Sequence, residues 1–270
     1  MSSSDATRDK YRNLLRELRS MGKAVVAFSG GLDSTFLLHA AREALGDGVL
    51  AVTMATSYMP EAEIEEAKSA AQAMKVRHLL LTAPFPEAIR ANPPDRCYIC
   101  KQSLFTLLQD VAASENIAHV LDGTNLDDLD DYRPGLKALG ELGIKSPMLT
   151  EGLTKQDIRD LSREHGLATW NKPAAACLLS RIPHGTVIEE AELRRIDQAE
   201  RFLKELGFTA VRLRSHGDLA RIEVPREQVA QVVEADRQHG IEARLRALGY
   251  QHVAVDLAGY RRGSLNVNHA

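Results

Sequence analysis

Three side chains in this sequence can serve as soft nucleophiles or soft metal ligands: Cys97, Cys100 and Cys177. The first two stand in the run Asp95-Arg96-Cys97-Tyr98-Ile99-Cys100-Lys101, just after Pro93-Pro94 and ahead of a helical pattern. At spacing i, i+3 on a helix they share a face. A helix start favours thiolate through its dipole, and Arg96 and Lys101 add positive charge, so the pair is primed to bind metal. By themselves two such cysteines leave several readings open: a redox motif, half of a zinc site, or a solvent-facing accident. Cys177, just past the α/β pattern, is the candidate third ligand or else a small core residue. Three thiolates are one short of the four that usually hold an iron–sulfur cubane, which leaves one iron able to take an external ligand such as sulfide.

A second concentration of chemistry is Ser29-Gly30-Gly31-Leu32-Asp33-Ser34, between a short apolar run and a helical pattern. Glycines let backbone approach an anion closely. The N–H groups of a helix start are unpaired, and the dipole there favours negative charge. Ser29 and Ser34 can add hydroxyl donors, so the loop suits phosphate or pyrophosphate. It lacks the Gly-Lys-Ser/Thr ending of a Walker loop and the Gly-x-Gly-x-x-Gly of dinucleotide folds. A tight turn with no ligand is the competing reading. The motif resembles the PP-loop of the ATP pyrophosphatase superfamily, which cleaves ATP between its α and β phosphates. That resemblance implies that Ser29, Gly30, Gly31, Asp33 and Ser34 hold the phosphates, with magnesium nearby, and that backbone near Met54 holds adenine. Gly123, Thr124, Asn125 and Asp128, in Asp122-Gly123-Thr124-Asn125-Leu126-Asp127-Asp128, resemble a second superfamily signature near the nucleotide. The acidic run over residues 127–131 reads equally well as a solvated loop.

These residues need a scaffold. Tyr11, Leu14, Leu15, Leu18 and Met21 recur at helical spacing. Apolar strands then alternate with helical segments from about Lys23 to about Thr169, which predicts a doubly wound parallel α/β sheet with helices on both faces. Thr154 and Asp157 form a plausible capping pair. After Arg181 the rhythm changes to a long helix, two strands joined by a turn at 215–218, a helical stretch and a last strand. The expected organisation is therefore a PP-loop-type domain over 1–181 and a smaller α+β domain over 182–270 that contributes substrate binding. The tail from Gly263 carries no signal.

The 270-residue chain is 44% hydrophobic and carries 34 basic and 37 acidic residues, a formal charge of −3. That balance gives no sign of a nucleic-acid-coating surface. The N-terminus has neither an apolar core nor a cleavage site, and no run approaches the ~20 apolar residues of a membrane span. A cytoplasmic protein with reduced thiols is expected, and three cysteines there point to metal binding or catalysis rather than a disulfide framework.

The combination is more specific than any of its parts. Lys172-Pro173 followed by the cysteine-bearing segment to Gly185, together with the PP-loop, the paired cysteines, the Asp122–Asn125 stretch and the strands around Arg212, resembles the LarE family over essentially the whole chain. The resemblance implies sulfur transferases that build a nickel-pincer nucleotide. In one type a lone cysteine, at the position of Cys177, gives up its own sulfur. In the other, cysteines at positions matching Cys97, Cys100 and Cys177 hold a 4Fe–4S cluster carrying an extra sulfide. The implied substrate is a pyridinium mononucleotide with two carboxylates, each activated by ATP and then attacked by sulfide. Lys101, Ser180, Arg181, Arg212, Arg214 and Glu223 are the expected substrate-binding set. Arg212 and Arg214 lie two apart on a predicted strand and so share a face suited to phosphate or carboxylate. Without the resemblance, a solvated sheet face would be the better reading of these charges. Glu200 reads as one of several charges on a helix, and His184 and His216 as structural or loop residues. Further copies of the chain and a sulfide-delivery protein are the expected partners. The competing functions are a tRNA thiolase sharing the PP-loop, an amide-forming synthetase, and a nucleotide-binding regulatory module with structural zinc.

Overall fold

The computed structural model describes residues 4–130, 134–173 and 176–261. Asp131 of the acidic run and the tail from Gly263 lie outside them. The chain divides into two compact units, 1–86 with 95–175 and 87–94 with 176–270.

The first unit begins with α1 (Asp5–Met21), whose Tyr11, Leu14, Leu15 and Leu18 are buried as their spacing requires. The strand β1 (Ala24–Ala27) leads to α2 (Leu32–Leu45), β2 (Val49–Ala55), α3 (Glu61–Ala73), β3 (Arg77–Thr82), α4 (Arg96–Ser114) and β4 (Val120–Leu121). Three further helices complete the unit: α5 (Pro134–Glu141), α6 (Pro147–Thr150) and α7 (Lys155–Glu164). The strands form one parallel sheet in the order β3-β2-β1-β4, with Ala27 opposite Val52 and Val25 opposite Val120. Successive strand residues serve opposite faces. Ala24, Val26, Val49 and Ala51 pack with Leu14, Leu18, Phe36 and Ile158. Val25, Leu50 and Val52 pack with Phe105, Leu108 and Leu139. Both faces are covered, as the near-continuous apolar strands predicted. The ends of these strands and the first turns of α2 and α4 carry the candidate chemistry.

The capping pair is present in full: Asp157 N–H donates to Thr154 Oγ1 at 3.1 Å, and Thr154 N–H donates to Asp157 at 3.1 Å. Asp157 also accepts from Thr7 Oγ1 at 2.6 Å and Lys10 Nζ at 2.8 Å, which ties α7 to α1. Burial would raise the Asp157 pKa, but these donors outweigh it and lower it from 3.8 to about 2. A depressed carboxylate contributes stability above its unfolded pKa and loses it as pH falls through the folded one. Asp157→Asn is therefore expected to be destabilising at pH 7, with the deficit vanishing from about pH 4 down to about 2. Urea unfolding of both proteins across that range checks this; a deficit independent of pH defeats the linkage.

The second unit contains α8 (Glu190–Glu205), β5 (Arg212–His216), β6 (Leu219–Glu223), α9 (Val229–His239), α10 (Ile241–Ala247) and β7 (His252–Val255). The β5–β6 hairpin is antiparallel and β7 joins β6 in parallel. Buried Leu193, Ile196, Ala199 and Leu203 form the inner stripe of α8. The stretch read as one helix after Pro225 is broken at Gly240, whose left-handed φ of 63° ends α9 and starts α10. Residues 87–94 belong to this unit, although the sequence boundary at 181 assigned them to the first. Hydrogen bonds explain the difference: Asn92 Nδ2 donates to the carbonyls of Ile182 and Pro183, and Ile188 N–H to that of Arg90.

Candidate functional site

In the first unit the site is built on the loop between β1 and α2. Gly30 has φ +69°, a left-handed conformation that glycine adopts freely. A Cβ placed on it would lie 3.0 Å from the Ala67 Cα. Gly31 is the extended N-cap of α2, so the first N–H groups of that helix face outward from the loop. Ser29 and Ser34 hydroxyls lie 3.0 Å apart across it. Asp33 accepts from Asn125 Nδ2 at 3.2 Å and pairs with Lys155 Nζ. Gly123 makes the approach possible, because a Cβ there would meet Ser34 N at 3.2 Å. Gly30→Ala is expected to cost about 1–3 kcal/mol from backbone strain and to abolish nucleotide binding. Thermal unfolding and ATP titration of the variant measure both; an unchanged ATP affinity contradicts it.

For Met54, the residue expected beside adenine, the register fixes which way the backbone groups point. Phe28 N–H donates to Val52 O at 2.9 Å, so the backbone groups of Val52 point toward β1. Met54, two residues on, points its N–H and C=O the same way, but β1 has ended at Ala27. Those groups face the space beyond the end of the neighbouring strand, where ligands of open α/β sheets sit.

The Asp122–Asn125 stretch is a bracket. Buried Asp122 accepts from Thr124 Oγ1 at 2.5 Å and from Ser146 Oγ. Lys101 Nζ stands 4.0 Å from the same carboxylate. Asp128 accepts from Asn125 N–H at 3.1 Å and Asp127 from Lys155 N–H at 3.0 Å, so both carboxylates organise the turn Leu126–Asp130.

Sequence reasoning missed two lysines here. Lys155 pairs with Asp33 as described. Lys172 Nζ donates to Glu63 and Glu66, each at 2.6 Å, and to Gly30 O at 3.1 Å. Burial would lower the Lys172 pKa, but the two carboxylates outweigh it and raise it. The only signal for Lys172 was its place in the cysteine-bearing segment.

Cys97 and Cys100 lie in the first turns of α4, which starts at Arg96 and not after the pair. Cys97 is exposed and Cys100 half-buried, with its Sγ 3.1 Å from the Tyr58 hydroxyl. Two thiols on one face at a helix start are a donor set suited to a soft metal centre.

In the second unit, exposed Cys177 opens the short turn Leu178–Arg181. Arg181 is turned inward, 2% exposed, and does not line a surface pocket as expected. Its Nε and Nη2 donate to the two oxygens of Glu200 at 2.8 and 2.9 Å. Its Nη1 donates to Ala176 O at 2.9 Å, Cys177 O at 3.2 Å and Ser180 Oγ at 2.8 Å. The guanidinium thus clamps the backbone that presents Cys177. Glu200, read from sequence as one charge among several, is 1% exposed and also accepts from Leu213 N–H at 2.9 Å. Burial would lower the Arg181 pKa and raise that of Glu200; their mutual attraction outweighs both, raising Arg181 and lowering Glu200.

The β5 charges are buried, which removes the solvated-face reading. Arg212 stands opposite Glu223 and Arg214 opposite Arg221, all on one side of the hairpin. Arg214 donates to Glu223 at 2.9 Å and, through Nη1, to Ser180 O at 2.7 Å. Arg212 donates to Val211 O at 2.8 Å, and its guanidinium lies 5.2 Å from the centre of the Tyr260 ring. Burial first, and then the charge of Arg181, hold the Arg212 pKa below its ordinary value. An anion beside Arg212 would offset that strain.

A strand–Ser-Gly-Gly–helix loop at the end of a doubly wound parallel sheet, with Asp33 in its first turn, defines the PP-loop class of ATP-using enzymes. Residues 23–94 match the family described as Queuosine biosynthesis protein QueC, which is of this class. An uncharacterized protein of Synechocystis sp. is 39% identical over 95% of this chain and 97% of its own. The pyridinium-3,5-bisthiocarboxylic acid mononucleotide synthase of Lactiplantibacillus plantarum is 38% identical over 95% of this chain and 94% of its own. An uncharacterized protein of Methanocaldococcus jannaschii is 31% identical over 93% and 96%. The chain belongs to the LarE family and is an ATP-dependent sulfurtransferase. No helix among the described residues is long and apolar enough to cross a membrane.

Proposed function

We propose that this enzyme converts the two carboxylates of a pyridinium biscarboxylate mononucleotide into thiocarboxylates, on the route to a nickel-pincer nucleotide. ATP, with magnesium, would sit on the Ser29–Ser34 loop, its adenine against the backbone of Met54. Asp33 is the carboxylate suited to magnesium, which would take the place of Lys155 beside it. A substrate carboxylate attacks the α-phosphorus, pyrophosphate leaves, and an acyl adenylate results. Lys155, released from Asp33, would offset the charge of the phosphates, while Lys172, held by Glu63 and Glu66, steadies the loop through Gly30 O. Sulfide then displaces AMP and leaves a thiocarboxylate. Arg212 and Arg214 take the substrate phosphate or the second carboxylate, and Lys101 and Ser180 complete the set. Arg181 and Glu200 act as positioning residues for the loop of Cys177.

Cys97, Cys100 and Cys177 would hold a 4Fe–4S cluster. When bound, a cluster with three thiolate ligands supplies a site for the transferable sulfide. The observation carrying this reading is the set of thiols: the chain has three cysteines, two on one turn of α4 and the third exposed on a clamped loop. A cytoplasmic homo-oligomer, supplied with sulfide by a partner protein, belongs to the same proposal. Anaerobic purification tests it. A brown protein with about four irons per chain and repeated turnover supports the cluster. A colourless zinc-loaded protein, or loss of hydrogen sulfide from Cys177 after one turnover, overturns it.

A further inference from the structure

On α2, past the nucleotide loop, is a cluster the reaction does not use. His39 and Glu43 are four apart and share one face of the helix. His165 caps the end of α7. The ligand atoms of His39, Glu43 and His165 all lie within 4.8 Å of one another. Bonds of ~2.1 Å to a tetrahedral ion set donors ~3.4 Å apart, a separation that modest side-chain rotations reach.

Two further observations bear on it. His39 Nε2 is buried and has no hydrogen-bond partner among the described residues, although it lies 4.0 Å from Glu43 Oε2. A buried nitrogen without a partner is a cost that a ligand removes. The Tyr11 hydroxyl donates to Glu43 Oε2 at 2.5 Å, and the Tyr11 ring stands 5.0 Å from that of His165. A carboxylate that ligates a metal is usually held in one orientation by an outer hydrogen bond of this kind. A tilted ring contact alone accounts for the two imidazoles, whose centroids are 4.7 Å apart, but it does not account for a glutamate held beside an orphaned nitrogen.

We propose that His39, Glu43 and His165 bind a divalent first-row transition ion of the zinc type, with water completing the shell. Two imidazoles and one carboxylate select such an ion over magnesium. The ion ties α7 to α2, with Tyr11 of α1 supporting Glu43. Since α2 begins at the phosphate loop, the site steadies the helix that carries Ser34.

The cysteines would also take zinc, so the test uses the full chain with Cys97, Cys100 and Cys177 replaced by serine. Zinc chloride is titrated against a chromophoric chelator. One zinc per chain is expected, with a rise in the thermal midpoint. His165→Ala, at an exposed position, should weaken binding at least about 100-fold, and Tyr11→Phe about 10-fold. Cobalt in place of zinc should give visible ligand-field bands with no thiolate charge-transfer band. If the serine-substituted chain does not fold, the unmodified chain is compared with its His165→Ala form, which should bind one zinc fewer. Binding of equal strength in the His165→Ala chain, or no zinc beyond the thiol sites, overturns the proposal.

Discussion

Glu200→Ala is expected to destabilise the second unit by about 3–5 kcal/mol, enough to unfold a marginal domain. The change leaves the Arg181 guanidinium buried without its bidentate partner and removes the acceptor of Leu213 N–H. Glu200→Gln keeps the shape and loses the charge, so its cost should be smaller but still large. Arg181→Met combined with Glu200→Leu should recover much of the loss, because an apolar pair needs no partner for a buried charge. Urea unfolding, with hydrogen exchange of the β5 amides as the local probe, separates these outcomes. A loss under about 1 kcal/mol for Glu200→Ala, as for an exposed ion pair, contradicts the buried clamp.

That pair marks where sequence reading stops. A helical stripe names Leu193, Ile196, Ala199 and Leu203 as inward, and Glu200 falls on the same face with nothing local to tell it from Glu190 or Glu192. Its partner lies 19 residues upstream in an irregular turn. The same holds for Lys155 and Lys172, which reach Asp33 and Gly30 across 122 and 142 residues. Long side chains leave no periodic trace of where their charged ends go. Elements with period and punctuation were legible: the capping box at Thr154, the stripe of α1, the order of strand and helix around the sheet. The helix α5 was not, since it begins at a proline directly after the acidic turn and is only eight residues long. The PP-loop was legible because its chemistry is local, a run of six residues that must turn tightly and present N–H groups. The β5 arginines were legible as a face but not as a buried one, since alternation says which residues lie together and not what covers them.

Replacing Cys97, Cys100 or Cys177 singly by serine is expected to lower repeated sulfur transfer at least about 10³-fold, and the triple replacement to cost no more than any single one. Residues that act as one unit lose the whole effect when any member is removed. Serine is a poor ligand for iron, so if the proposed cluster is present each single variant should also lose the bulk of its iron. In the proposed reaction acyl adenylate formation depends on the Ser29–Ser34 loop and Asp33, so each variant should still give a burst of pyrophosphate when mixed with substrate and ATP. The sacrificial alternative predicts a different pattern. There Cys177→Ser abolishes thiocarboxylate formation, while Cys97→Ser and Cys100→Ser still complete one turnover and leave Cys177 short of hydrogen sulfide. A tRNA thiolase would spare neither pattern, since the pyridinium mononucleotide would then elicit no pyrophosphate at all. Quenched-flow measurement of pyrophosphate and thiocarboxylate in the four variants, with intact mass of the protein afterwards, distinguishes the three. The division of the thiols is what makes the pattern informative. Cys97 and Cys100 are carried by the first compact unit and Cys177 by the second, so equal losses from all three would mean that one reaction draws on both.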